Sequence, residues 1–345
     1  MVMRMTVVQN TIEKTEMSLT DIQKEHVHIC AHANGVDPTR TLTLRNSFAR
    51  DMKRRFNSLV KDINRVIIDE DGFGSQREKE AEEFRRMLGV QQQFDFPTSE
   101  AKIAAFMAWF NEQVEKGILE STTYEQVGLG LKEPWTNIYV KPAYERGIKR
   151  ARSELIKAGY DVPELTTTGG ISSAFDSPFH IDRVGIIYIR TFKELTGITS
   201  AMDSQISRVL AQGIAEGLGP RAVARNLTRT ITGPFGDLGI TDAAGRFIPA
   251  KRRATMLART EIIRAHHVAT IQEYKNWAVE GVYIKAELKT ADFGVCPECL
   301  ALEKKSRAKP YTLDEIEFII PVHPHCRCVA LPVDVTDKVR RRRRK

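Results

Sequence analysis

The stretch from Asp292 to Cys328, DFGVCPECLALEKKSRAKPYTLDEIEFIIPVHPHCRC, constrains the fold of this chain more than any other part of it. Cys296 and Cys299 form a C-x2-C pair. After a gap of 23 residues, His323, His325, Cys326 and Cys328 follow within six positions. Two thiolates on a tight turn, joined to a second close set across a loop, suit the tetrahedral N/S geometry of structural zinc. An extended chain through Cys326 and Cys328 turns both side chains to the same side, so both can reach one ion. Five side chains compete for four places: Cys296 and Cys299 belong to any such site, and His323, Cys326 and Cys328 share the rest. The alternative is a cluster of packed thiols without metal. A disulfide framework does not fit, because the five cysteines are odd in number and Cys30 stands far from the others.

The remaining chain sets the context of that module. Its 345 residues allow two domains, or one helical body with an appended module. No run of 18 apolar residues is present, which predicts no membrane span. The opening MVMRMTVVQNTIEKTE has no continuous apolar core, so the expectation is a reducing cytoplasm with no secretory signal. The net charge of +8 is concentrated at one end: Arg340, Arg341, Arg342, Arg343, Arg344 and Lys345 supply six charges, and the remainder is near +2. Such a tail repels itself and binds phosphate without sequence preference, or meets an acidic protein surface; the plain alternative is a solubility feature.

Hydrophobic periodicity predicts a mainly α chain of long helical hairpins, followed by a helical plus small β module stapled by the Cys/His cluster, an α+β C-terminal part. Residues 1–17 read as a disordered N-terminus. Residues 18–159 read as a helical domain, beginning with a helix capped by Ser18 or Thr20 that carries Cys30 as a buried thiol. Within it, Leu44, Phe48, Met52, Phe56, Leu59, Ile63 and Ile67 recur at helical steps, interleaved with basic residues that Asp51 and Asp62 offset. Residues 98–116 open with a capping pattern and bury Phe106 and Phe110, and 136–159 form the next helix. The prolines, glycines and Ser/Thr of 160–182 read as a linker.

Beyond the linker, one helix is expected through Val184, Tyr188, Phe192 and Leu195, and a separate one through Met202, Ile206, Val209, Leu210 and Ile214. Pro220 then starts a third, RAVARNLTRTI, whose Arg221, Arg225 and Arg229 line one face. A helix-turn-helix is the sharp reading of this pair and an ordinary αα-hairpin the plain one. A long helix follows with Met256, Leu257, Ile263, Val268 and Ile271 inward. On it Glu261 and Arg264 stand one turn apart, suited to an ion pair, while His266 and His267 point about 100° apart and cannot readily share one ion. From Gly281 the pattern becomes strand-like, and RCVALPV reads as the last strand.

Several of these pieces together resemble the phage head morphogenesis proteins of the Mu F-like type, the minor head (minor capsid) proteins of tailed phages. They are ARTEIIRAHH at 258–267, DFGVCPEC at 292–299, HPHCRC at 323–328, and the helical lead-in ITSAMDSQISRVLAQGIAEGLGPRAVARNL at 198–227. The resemblance extends over about 183–333, which makes 183–333 a Mu F-like domain with its Cys/His module at 281–333 and 334–345 a basic tail. It marks Arg259, Thr260, Glu261, Asp292, Cys296, Cys299, His323, Cys326 and Cys328 as the recurring polar positions. His325 stands where the family tolerates a small polar residue, and so becomes the weakest ligand candidate.

The resemblance implies a non-enzymatic virion component in the head interior or at the portal vertex, present in the host cytoplasm during assembly. Its partners would be the portal protein, the major capsid or scaffolding protein, and nonspecifically bound double-stranded DNA, with a role in genome packaging or ejection. The competing reading is a zinc-dependent nuclease or deaminase-like enzyme. Against it, the sequence has no HExxH, lacks the deaminase H-x-E before its P-C-x-x-C-type turn, and offers enough protein ligands to close the metal. Glu298 or Glu261 would have to serve as its base.

Overall fold

The computed structural model describes residues 37–74, 93–123, 132–162, 165, 168–175, 177–233, 248–278, 283–291 and 294–334. The expected N-terminal helix with Cys30, Asp292, and the basic run Arg340 to Lys345 lie outside the described residues. The protein is mainly helical with a small C-terminal sheet. It forms two compact units, each discontinuous in sequence: residues 1–48, 136–191 and 256–345 make one, and 49–135 with 192–255 make the other.

The second unit is built on α1 (Leu42–Asn64), whose Met52, Phe56, Leu59 and Ile63 are buried at the predicted three- and four-residue steps. The stripe continues through a π-helical turn, Arg65–Asp69, which buries Val66 and Ile67. Asp71 and Gly74 then turn the chain with positive φ. Helix α2 (Ser99–Gly117) is capped by Thr98, whose hydroxyl accepts from the Ala101 amide, and buries Phe106, Phe110 and Val114. Phe106 and Trp109 pack against Phe94, so both aromatics serve the core. A short antiparallel pair, β1 (Ser121–Thr123) with β2 (Lys132–Pro134), leads to Trp135, whose indole donates to the Ile118 carbonyl.

One expectation fails here. The two helices read through 184–195 and 202–214 are a single 38-residue helix, α5 (Pro178–Ala215). Gly197, the apparent break, costs only about 1 kcal/mol against alanine in a helix interior. The neighbouring hydroxyls reinforce the helix, Thr196 donating to the Phe192 carbonyl and Thr199 to that of Thr196. The true stop is Gly217, at φ 66°, after which Gly219 precedes α6 (Pro220–Thr232) with its proline in the first turn.

The first unit holds the site. In it α3 (Asn137–Lys157) crosses α7 (Ala250–Trp277) at Gly147, where an added Cβ would stand 2.3 Å from the His266 carbonyl oxygen and 2.7 Å from the Ala269 Cβ. Only glycine permits that approach. The segment expected as a linker contains α4 (Thr168–Phe175), which packs on α3 with the Phe175 ring 6.0 Å from that of Tyr144. After α7, β3 (Ile284–Lys289) pairs antiparallel with β4 (Val329–Asp334), Ile284 opposite Asp334 and Lys289 opposite Val329. Between them lie α8 (Pro297–Ala308) and α9 (Leu313–Glu317), the latter closed by a Thr312–Glu315 capping box.

Candidate metal centre

The C-x2-C pair is positioned by the start of a helix. Gly294, at φ 61°, turns the chain out of β3, and Cys296 adopts the extended conformation of an N-cap with Pro297 in the first turn of α8. The Cys296 Sγ accepts from the Cys299 amide at 3.4 Å, which satisfies one of the free amides at the helix start. Helix α8 is in turn fixed to β3. Ser306 Oγ accepts from the Leu288 amide at 2.9 Å, and Glu303 takes hydrogen bonds from the Thr290 hydroxyl and amide and from Arg307. Burial opposes the ionisation of Glu303, but the Thr290 hydroxyl, Lys289 and Arg307 hold its carboxyl below the ordinary range.

The other half comes from the turn before β4. The Cys326 amide donates to the His323 carbonyl at 3.1 Å, and His325 supplies the left-handed residue of the turn, φ 64°. The Cys328 amide donates to Cys326 Sγ at 3.5 Å. Arg327 reaches across to the Gly294 carbonyl at 3.0 Å, tying the two loops together.

These elements bring five side chains together. Cys296, Cys299 and His323 form one group whose ligand atoms lie within 4.8 Å of one another, and Cys299, Cys326 and Cys328 form a second. All five are buried. Cys299 belongs to both groups and is the pivot of the cluster. His325 belongs to neither. His323 donates from Nδ1 to the Pro324 carbonyl at 2.8 Å, which leaves the Nε2 lone pair directed at the two sulfurs, 3.1 Å from each. Around tetrahedral zinc, bonds of about 2.0–2.1 Å to nitrogen and about 2.3 Å to sulfur set neighbouring ligand atoms roughly 3.5–3.8 Å apart. The two N···S distances of 3.1 Å are about half an ångström shorter than that, so the side chains already converge on a volume an ion would open slightly.

The electrostatics point the same way. Accepting from the Cys299 and Cys328 thiols holds the Cys326 sulfur well below the ordinary thiol range, while donation to Cys326 and Cys328 pushes Cys299 above it. Converging sulfurs in a low dielectric cannot all ionise together unless a cation joins them. Four sulfurs and one oriented imidazole nitrogen are therefore a donor set that can hold a metal ion, and its softness suits zinc.

Of the other marked residues, Arg259, Thr260 and Glu261 lie on α7 and in neither ligand group, and Asp292 lies outside the described residues. Thr260 donates to the Met256 carbonyl within the helix. Glu261, fully buried, meets Arg264 at 3.1 Å as its spacing predicts, and also Arg190 of α5 at 3.8 Å. Arg259 is half-buried. His266 and His267 are both buried, and burial lowers them to about 3 and about 4. His267 Nε2 donates to the Ile316 carbonyl at 2.9 Å, linking α7 to the segment that leads into His323.

A buried network also escaped the sequence reading. Glu273 accepts from Arg152 at 2.6 Å and Trp277 at 2.7 Å and meets His180, 2.9 Å away, which is itself 2.9 Å from the Tyr144 hydroxyl. Burial opposes Glu273 ionisation, but these partners keep its carboxyl below the usual range. Among its members only Trp277 lies within helical reach of Glu273, so spacing gave no signal.

Comparison with known proteins agrees with the motif reading. Residues 204–331 match the family model of phage Mu protein F like proteins, a span that contains all five candidate ligands. No curated protein and no solved structure matches the chain. Over residues 204–331 the chain is similar to the phage Mu F-like head morphogenesis proteins.

Proposed function

We propose that this protein is a non-enzymatic component of a phage head, joining the assembling particle beside the portal and helping genome packaging or delivery. The observation that carries the reading is the Mu F-like match over 204–331. The Cys/His cluster supports it: two overlapping groups of three ligands offer enough protein donors to close a tetrahedral site, as in structural zinc sites, whereas a catalytic zinc keeps a position open. Glu298 is exposed on α8, and the engagement of Glu261 with two arginines supports this reading over one in which Glu261 serves as a base. In this reading the ion is Zn2+ and its role is to fix the loops around β3 and β4. The basic tail meets packaged DNA.

An assembly component also needs a surface for its neighbours. Helix α5 presents Phe179, Ile181, Ile186 and Ile189 to solvent, the last two 60% and 71% exposed. Exposed apolar side chains grouped along one helix suit a protein interface. No helix among the described residues is long and apolar enough to cross a membrane, so the stripe is not part of a span.

The test is co-expression with the portal protein of the same phage, followed by sedimentation and zinc analysis of the complex. Co-sedimentation with the portal, lost in an Ile186→Glu, Ile189→Glu variant that keeps its zinc and its melting temperature, is the expected result. Full retention of portal binding in that variant refutes this interface. Absence of any complex with portal refutes the portal association.

A further inference from the structure

Helix α6 is sharply two-sided. Val223, Ala224, Leu227 and Ile231 are buried, and the helix packs on the π-helical turn 65–69 of the same unit. On the opposite side Arg221, Arg225 and Arg229 are all exposed. At four-residue steps they drift only about 40° each around the axis and form one stripe roughly 12 Å long.

These arginines differ from those of α1. There Arg54 pairs with Asp51 and Arg55 with Glu120, and in the π-helical turn that follows Arg65 pairs with Asp62 and Glu70. Helix α6 contains no acidic residue. Among the described residues no carboxylate lies within ion-pair distance of Arg221, Arg225 or Arg229. Three guanidinium groups thus stand on one face of the helix with no carboxylate partner among the described residues.

We propose that this face of α6 binds the phosphate backbone of a double-stranded nucleic acid. The residues around the stripe decide between polyanions. Ala222, Asn226, Thr228 and Thr232 flank the arginines, and no large apolar or aromatic side chain of α6 is exposed beside them. A protein interface needs an apolar or aromatic centre, whereas arginine with threonine and asparagine is the usual equipment for phosphate and sugar contacts. Three arginines in a row position a backbone without reading bases, so the contact is independent of sequence. The site shares no residue with the Cys/His cluster, the apolar face of α5 or the basic tail, and does not depend on portal association.

The experiment measures binding of the full chain to a labelled 30-base-pair duplex of arbitrary sequence by fluorescence anisotropy across a salt series. The Arg221→Gln, Arg225→Gln, Arg229→Gln variant is compared with wild type, with the matching Lys variant, and with a variant neutralised in the tail. Three phosphate contacts contribute about 2.7 to the slope of log K against log salt. Between 50 and 200 mM salt the wild type should therefore lose about 40-fold more affinity than the Gln variant. The Lys variant should restore the slope, and the tail variant should keep the α6 share of it. An unchanged slope in the Gln variant, no duplex binding by wild type at low salt, or a slope abolished entirely by the tail variant each overturns the proposal. Melting temperatures within a degree or two of wild type, expected for exposed positions, separate lost contacts from lost folding.

Discussion

Two adjacent histidines buried in α7 should make the protein sensitive to mild acid. His266 and His267 are each almost fully enclosed, and burial lowers them to about 3 and about 4; Arg150 adds repulsion at His266. In the unfolded chain both return to an ordinary value near 6.5. Their folded values lie below the unfolded one, so the unfolded chain binds more protons and stability falls as pH drops below about 6.5. The loss continues until pH reaches the folded values. At about 1.4 kcal/mol per pH unit for each histidine, going from pH 6.5 to 4.5 removes roughly 5 kcal/mol, comparable to the whole stability of a marginal domain. Carboxylates held low, such as Glu273, begin to contribute below about pH 5, so the step from pH 7.0 to 5.5 isolates the histidines and the comparison with His267→Gln separates them at pH 4.5. Urea unfolding at pH 7.0, 5.5 and 4.5 reads the slope. His267→Gln keeps a donor for the Ile316 carbonyl but cannot titrate, and should lower the slope by about half. Acid release of a metal adds the same slope to both chains and cancels in the comparison. A His267→Gln chain with the full wild-type slope would refute the argument.

Two further predictions follow from single positions. Cys299 belongs to both ligand groups and His325 to neither, so Cys299→Ser should abolish metal retention, measured by elemental analysis, while His325→Asn leaves it intact. Chelation should reproduce the Cys299→Ser melting curve; a zinc-free wild type with no response to chelator would remove the metal centre altogether. Gly147→Ala and Gly197→Ala should have opposite signs although both lie inside helices. The first drives a Cβ into the His266 carbonyl and Ala269 and should destabilise by about 2 kcal/mol, the second meets nothing within 4 Å and should stabilise by about 0.5–1 kcal/mol, both read by thermal or urea unfolding.

What the sequence reveals here follows the range of its signals. Helical periodicity reaches three or four residues, and the stripe from Phe48 to Ile67, the Thr98 cap and the Glu261–Arg264 pair all fall within it. The C-x2-C turn reaches further only because metal-binding chemistry imposes a partner set, and His323, Cys326 and Cys328 were the residues available to supply one. Contacts with no such rule stay hidden. Arg190 joining Glu261, His180 and Arg152 joining Glu273, and His267 reaching Ile316 each span tens of residues. Glycine misleads in a different way. Gly197 looks like a helix stop but sits in open space inside α5, while Gly147 looks incidental and governs the crossing of α3 with α7. A glycine's role depends on what faces it, which composition does not record.

The Cys/His cluster and the fold around it depend on each other. A two-stranded antiparallel sheet such as β3–β4 is marginal alone and needs a covered face. That cover comes from Ile316, Ile320 and Leu313 together with the four cysteines, which lie in one apolar cluster with Ile263, Tyr274 and Leu288. Cys296 also caps α8, and Cys328 leads directly into β4. Each ligand therefore holds a backbone element as well as a sulfur, and displacing any one disturbs helix, strand and cluster together. This coupling is what the proposed structural role requires: were an ion bound there, a changed ligand would mean a changed fold.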